Sequence, residues 1–356
     1  MRQTRRSFLA TAGVVGAASL AGCSFASGFA GANDGVVAAV GADDGSEQWT
    51  VTADDWVRSS PAVGEEVVAF GSDDTNCYGV SRSDGSVVWE RSLGDHSEDW
   101  VRSDPVLVDG TVYVGTDTST LYALDAASGE TEWRVGTSDW VRSDPVVDGA
   151  TVYAGDDAGE LVAIDTESGT TQWRFDAGGA IRGHLATGDE TVYVGSTDGA
   201  VTAVDAEGAE QWRQSAGDGV PGGVTLVDGT VYAGTADGQL LALDADSGDR
   251  NWSRSIDESV RAAPRVLADT LYVGTEGGTV HAVSSITGSS RWEVAAESSV
   301  LSTPAIDGDT LYVGSDDGTL YALATGDGSE RWAYSFPDYV RTDPVVVDGT
   351  VFAGSD

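Results

Sequence analysis

The stretch TVYVGTDTSTLYALDAASGETEW, Thr111 to Trp133, decides the fold, because close variants of it recur along almost the whole chain. Val112 and Val114 alternate with Thr111 and Tyr113, Leu121 to Leu124 form a second apolar run, and a third short run ends on Trp133. β-Branched and aromatic residues bounded by turn formers predict three strands and two tight turns. In several copies the first turn contains Asp-Gly, at Asp198-Gly199, Asp237-Gly238 and Asp317-Gly318. That dipeptide suits a two-residue hairpin in which both turn positions take positive φ. The second turn carries a glycine, as at Gly129, Gly169 and Gly248. A unit this small cannot bury its apolar face alone, so the core must come from repetition.

A tryptophan closes each copy: Trp49, Trp89, Trp133, Trp173, Trp212, Trp252, Trp292 and Trp332, at intervals of 40, 44, 40, 39, 40, 40 and 40 residues. The long interval places its extra residues in the loop Gly94 to Asp99, and the short one falls in the turn around Gly208. Indels confined to loops keep every strand in register, whereas a slip within a strand would turn its side chains inside out. A second signature follows each tryptophan. It reads WVRSSP at Trp56, WVRSDP at Trp100 and Trp140, AIRGHL at Ala180, GVPGGV at Gly219, SVRAAP at Ser259, SVLSTP at Ser299 and YVRTDP at Tyr339. Each unit is therefore expected to hold four strands: A (VRSDPV), B (TVYVG), C (LYALD) and D, ending at Trp.

The final segment, DPVVVDGTVFAGSD, contains A and B without C or D, and GVVAAVGADDGSEQW near the start contains C and D without A or B. Joined, they complete one unit. The expectation is an all-β, eight-bladed β-propeller of four-stranded antiparallel blades, closed by pairing the N- and C-terminal halves of one blade. A ring also leaves only short strand edges exposed.

The spacing A-x-D-x-x-[ST]-G-x-x-x-W, clear at Ala123 to Trp133, Ala163 to Trp173 and Ala242 to Trp252, resembles the tryptophan-docking motif of the pyrroloquinoline quinone (PQQ) repeat propellers. The resemblance covers roughly residues 33 to 356 and implies that each tryptophan packs between adjacent blades. It implies two kinds of function: quinoprotein dehydrogenases with PQQ and calcium in the channel mouth, and BamB-type envelope lipoproteins without a cofactor. The dehydrogenase branch uses amide ligands and, in the alcohol dehydrogenases, adjacent cysteines. This chain has only Cys23 and Cys77, and three asparagines, Asn33, Asn76 and Asn251. No cofactor, no metal and no catalytic residue are expected.

Fifty-eight acids stand against nineteen bases, all arginine, for a formal charge of −39. Such a surface repels phosphate backbones, which excludes nucleic acid as a partner. It suits concentrated salt, where screening shortens to about 3 Å, and leads to the expectation of a halophilic archaeal source, the charge describing habitat more than partner. Residues 1–22 read as a twin-arginine lipoprotein signal, with Arg5-Arg6, a short apolar run and the box Leu20-Ala21-Gly22-Cys23. Cys23 would carry lipid, residues 23–32 would form a tether, and residues 33–356 the propeller on the outer face of the cytoplasmic membrane. Loss of Arg2, Arg5 and Arg6 takes the charge from −39 to −42. Cys77 aligns with Leu121 and reads as a small buried hydrophobe. His96, His184 and His281 show no metal-ligand spacing, and the Asp-rich turns at Asp43-Asp44-Gly45 and Asp316-Asp317-Gly318 supply too few oxygens for calcium.

The candidate site is the second signature. Arg58, Arg102, Arg142, Arg182, Arg261 and Arg341 occupy one repeat position, with Trp56, Trp100, Trp140 and Tyr339 two residues before four of them. At the start of innermost strands they would ring the channel mouth, offering aromatic platforms and cations to an anionic ligand or a protein partner. The competing reading has Asp104, Asp144 and Asp343, two residues after an arginine, neutralise that ring. His184 replaces the aspartate in its blade and reads as a neutral substitution. For the docking tryptophans, burial of about 150–250 Å² each corresponds to about 4–6 kcal/mol. Trp133→Ala is expected to cost about 3–5 kcal/mol, and an unchanged thermal midpoint contradicts the docking role.

Overall fold

The computed structural model describes residues 35–356 and the two-residue strand Arg6–Ser7, which runs parallel to Ser290–Ala295. The expected signal, its lipidation site Cys23 and the tether otherwise lie outside the described residues. From residue 35 onward the chain forms eight antiparallel sheets of four strands each, ordered A to D. Blade 2 is representative, with Val106–Val108, Thr111–Thr116, Thr120–Asp125 and Thr131–Gly136. Among the described residues there is no helix.

The ring closes as the split repeat requires. Val345–Val347 and Thr350–Ser355 supply strands A and B of blade 8, and Val36–Gly41 and Glu47–Thr52 supply C and D. Strands B and C pair in register, Ala38 opposite Ala353 and Ala39 opposite Phe352.

Strands B and C are apolar on both faces because each face meets a neighbouring blade. In blade 2, Val112, Val114, Leu121 and Leu124 are wholly buried. The glycine ending strand B has a packing cause. A Cβ on Gly115 would lie 2.4 Å from the Val141 side chain of the next blade, and one on Gly354 would lie 3.0 Å from Val57 across the closure. The invariably β-branched second residue of the signature thus fills the space that each glycine leaves.

The docking tryptophans behave alike around the ring. Each indole Nε1 donates to a backbone carbonyl in the C–D turn of the next blade, at 2.7–2.9 Å, as Trp133 does to Thr166 and Trp332 to Ala42. The ring lies on that turn's glycine: a Cβ on Gly169 would stand 2.8 Å from Trp133, and one on Gly45 2.7 Å from Trp332. These glycines also have positive φ, 66° and 67°, so a side chain is excluded on two counts. In six blades a strand-B tyrosine tilts against its own blade's tryptophan at 5.7–6.2 Å between centroids. Blade 1 has Ala69 at that position. There Trp89 moves over strand C, where a Cβ on Gly79 would stand 2.1 Å from the indole. Burial is uneven: Trp49, Trp89, Trp292 and Trp332 are buried, while the other four are half-buried.

Two expectations need correction. The signature is not part of strand A, which begins only after the proline and spans three residues, Val106–Val108, in blade 2. The backbone N–H groups of the signature bond to loops and side chains of adjacent blades instead of to a strand ladder. The Asp-Gly pairs between B and C are not two-residue turns either. Gly199 has φ 83° but Asp198 is absent from the positive-φ residues, and the N–H of Gly199 bonds to Ser196. This is a three-residue loop with its glycine in the left-handed region. The turn with both residues at positive φ joins A to B, at Asp109-Gly110, Asp228-Gly229 and Asp348-Gly349. Cys77 is wholly buried, and burial pushes its thiol up to about 12.

Trp332 spans the closure and so tests it. Trp332→Ala should cost about 3–5 kcal/mol. Trp332→Phe should cost only about 1 kcal/mol, because Tyr312 also donates to the Ala42 carbonyl, at 3.2 Å. Chemical denaturation at fixed salt measures both; equal losses for the two variants contradict the geometry.

Candidate functional site

The signature lies in the D–A loops, on the face of the ring that also carries the B–C turns. Each copy ties its blade to the preceding one. The N–H of Val101 donates to Ser72 of blade 1 at 3.1 Å, while the carbonyl of Trp100 accepts from Asp117 of its own blade at 2.9 Å. All six candidate arginines reach the mouth, and each meets a carboxylate there.

Those carboxylates are not the expected ones. Arg102 makes a two-pronged pair with Asp73, at 2.8 and 2.7 Å. Arg142 holds Asp117 and Arg182 holds Asp157 in the same way. Arg341 holds Asp316 and also reaches Asp356 at 3.0 Å. Asp73, Asp117, Asp157 and Asp316 sit in the B–C turn of the preceding blade, and Asp73 and Asp117 are buried. Bidentate hydrogen bonding raises the pKa of Arg142, Arg182 and Arg341. Arg261 is the outlier. The preceding blade offers Ala236 at the acidic position, and Arg261 turns to Glu276 of its own blade at 3.3 Å.

Arg58 is held least. Its Nε stands 3.6 Å from Asp356 and 3.9 Å from Asp73 without a hydrogen bond. Both carboxylates are already committed, to Arg341 and Arg102. Burial lowers the Arg58 pKa. The aromatic side chains lie against these cations, Arg58 over Trp56 at 4.3 Å, Arg102 over Trp100 at 3.7 Å, Arg142 over Trp140 at 4.3 Å and Arg341 over Tyr339 at 4.6 Å. Trp140 and Tyr339 are 41% and 45% exposed. The mouth is therefore asymmetric: an arc of aromatic–arginine stacks on blades 8, 1, 2 and 3 faces blades 4 to 7, where Ala180, Gly219, Ser259 and Ser299 replace the aromatic residue and only Arg182 and Arg261 supply a cation.

Asp104, Asp144 and Asp343 point to another task. They belong to a ring of residues round the channel, in which a backbone N–H of one blade donates to a side chain of the next. Asp343 donates to Ser60 at 2.7 Å, Ser60 to Asp104 at 2.6 Å, and Asp104 to Asp144 at 3.3 Å. On the other side Ala263 donates to Thr303 at 3.2 Å and Thr303 to Asp343 at 2.5 Å. The chain breaks in blades 4 and 5, where the backbones themselves meet: a Cβ on Gly183 would lie 2.2 Å from Gly222.

His184 spans this break and is no neutral substitution. Its Nδ1 lies 2.9 Å from Asp144, and its Nε2 lies 2.7 Å from Asp343 and 3.0 Å from Thr303. Blade 4 is thereby pinned to blades 3, 7 and 8 across the channel. Burial alone would lower the His184 pKa, but the carboxylates of Asp144 and Asp343 outweigh it and raise it well above the ordinary 6.5. Asp104 is raised well above its ordinary value by burial and by the neighbouring charges of Asp144 and Asp343.

The geometry defines a class: an eight-bladed propeller with tryptophan-docked blades and a pinned channel. The chain belongs to the family described as outer membrane protein assembly factor BamB, whose sequence profile matches residues 33–165, 80–207, 158–302 and 276–356. No curated protein matches it. Among solved structures it is similar to BamB from Moraxella catarrhalis, with 24% identity and a TM-score of 0.70 over 84% of this chain and 94% of that one. It is also similar to the computationally designed Ika8 protein, at 18% identity and a TM-score of 0.73 over 84% and 94% of the two chains. A quinohemoprotein alcohol dehydrogenase from Comamonas testosteroni shares 14% identity with a TM-score of 0.69, over 91% of this chain and 76% of that one. At these identities the likeness is one of fold.

His184 and Asp104 both bind protons more tightly in the folded chain than in the unfolded one. The contribution of His184 is fully present below its ordinary 6.5 and that of Asp104 below its ordinary 3.8. Each is lost as pH rises from there through the group's own raised folded value, so the alkaline part of the decline belongs to His184. The thermal midpoint should therefore decline on the alkaline side. His184→Gln should cost about 2 kcal/mol at pH 6 and flatten that decline; a variant with the wild-type pH profile contradicts the assignment.

Proposed function

We propose that the chain is a non-enzymatic binding module, a propeller held at the outer face of the membrane by lipid on Cys23 after twin-arginine export, that docks a protein or an anionic group on its channel mouth. The observation that carries this reading is the aromatic arc. Tryptophan, tyrosine and arginine are the side chains that dominate protein interfaces, and here Arg102, Arg142 and Arg341 are each fixed between an aromatic face and a carboxylate. Such pre-organised side chains lose little freedom when a partner arrives. The pairing also refines the expected chemistry. The mouth is a lattice of neutralised cations, with Arg58 as the one whose hydrogen-bonding capacity remains unspent.

A role in assembly, as the family description states for its members, accords with a protein partner. The alternative, a quinoprotein oxidoreductase, draws on dehydrogenase neighbours that share 14% identity with this chain. One feature argues against it: His184 crosses the channel, bonded to Asp144 on one side and Asp343 on the other.

Placing photoreactive benzoylphenylalanine at Trp140 or Tyr339, in cells of the native host, tests the docking face. A discrete crosslinked product is expected from both positions and not from Ile286, which is 72% exposed but stands in a C–D turn on the opposite face. The product should weaken when Trp56 and Trp100 are changed to alanine. Equal crosslinking from Ile286, or saturable binding of PQQ with calcium accompanied by dye-linked alcohol oxidation, overturns the reading.

A further inference from the structure

The one long interval in the repeat builds a cavity of roughly 630 Å³ between blades 1 and 2, on the face that carries the D–A loops but lined by strand-D residues and by none of the arginines or aromatic residues of the channel mouth. Arg91, Arg134 and His96 line it, together with the hydroxyl-bearing Thr118, Thr120 and Thr131. The loop that forms its wall is braced. The Asp99 carboxylate accepts the N–H groups of Asp95 and His96, both at 2.8 Å. Tyr122 donates to the Leu93 carbonyl at 3.3 Å. A Cβ on Gly94 would lie 2.2 Å from Asp99, so the chain closes tightly there.

The charge in this cavity runs against the rest of the molecule. Sixteen arginines lie from Arg58 onward, and eleven stand within 4.0 Å of a carboxylate. Of the five that do not, two face this cavity. Arg91 makes a single hydrogen bond, to Thr131 at 3.2 Å, and Arg134 has no hydrogen bond or ion pair with the described residues. In a chain with 58 acids, two unneutralised guanidinium groups on one concavity mark a place where the missing anion is supplied from outside. Asp99 spends its charge on the loop, leaving Asp95 as the one carboxylate on the wall that could oppose it.

We propose that this cavity binds a tetrahedral oxyanion, phosphate or sulfate, between Arg91 and Arg134. The guanidinium fork matches the oxygens of such an ion in pairs, and the Thr131 hydroxyl, which accepts from Arg91, keeps its own proton to donate. The volume suits a small-molecule ligand and exceeds what a bare ion needs, so the oxyanion is carried as an ester on a sugar-sized polar solute.

Titration calorimetry of the purified chain in potassium chloride, with glucose 6-phosphate, inorganic phosphate and glucose, tests this. Glucose 6-phosphate should bind saturably at one site, at least about tenfold more tightly than inorganic phosphate, and glucose should give no saturable heat. Arg134→Gln should weaken binding about tenfold, and Arg91→Gln with Arg134→Gln should abolish it. Arg250→Gln, at an arginine that also lacks a carboxylate and donates to Ser215, should bind normally. Equal affinity for the free ion would assign the oxyanion alone and overturn the ester. No saturable heat from either phosphate, or wild-type affinity in the double variant with its thermal midpoint unchanged, overturns the site itself.

Discussion

A strand pair of this size cannot keep water from both its faces, and the whole architecture answers that constraint through one contact. The closing tryptophan of each blade lays its ring on the turn glycine of the next and donates its indole N–H to a carbonyl there. Burying an indole while leaving its N–H unpaired would forfeit part of the gain. The turn carbonyl removes that penalty, and the glycine's missing side chain lets the ring approach. Because the contact links each blade to its neighbour, stability accumulates around the circle, and the last blade must meet the first. Trp332 to Ala42 is that meeting, between residues separated by 290 positions in sequence.

The same logic operates nearer the axis with polar groups. Arginines of one blade grip aspartates of the preceding blade, and backbone N–H groups around the channel find side-chain acceptors one blade on. Each concentric layer is thus an inter-blade layer. The outer one is aromatic, the next is the valine-on-glycine packing, and the inner two are ionic and hydrogen-bonded. Where the inner layer lacks acceptors, at Gly223 and Ala263, the backbones of blades 4 and 5 close up and His184 crosses to the far side. The mouth gains an asymmetry from this. One half presents arginines stacked on aromatic rings, and the other has no aromatic residue at that position and only two arginines, Arg182 and Arg261.

Much of this was legible from the residues. The tryptophan interval, the split repeat and the alternation of apolar residues fix the blades because they are local and repeat eight times. The turn glycines follow from the same motif. What was not legible was which blade each side chain serves. Asp104 follows Arg102 closely in sequence, so a pair between them was a natural expectation, yet Arg102 reaches back 29 residues to Asp73. A signal for this was present. Asp73, Asp117, Asp157 and Asp316 each stand in the blade before an arginine at the signature position, and Thr197 stands before Pro221; Glu276 before Leu301 breaks the pattern. Ala236 precedes Arg261, and that arginine is the one that turns elsewhere. The role of His184 had no such signal, since a contact across the channel joins residues with no fixed spacing in the repeat.

The central claim is that eight equivalent indole contacts hold the ring, the closing one included. Hydrogen exchange of the eleven indole N–H groups, followed by nuclear magnetic resonance, measures it directly. The eight docking indoles should exchange slowly and together, at the rate of global unfolding, while that of the exposed Trp140 exchanges fast. Fast exchange at Trp332 with protection at the other seven would contradict closure by this contact, and independent rates among the eight would contradict a ring stabilised as a unit.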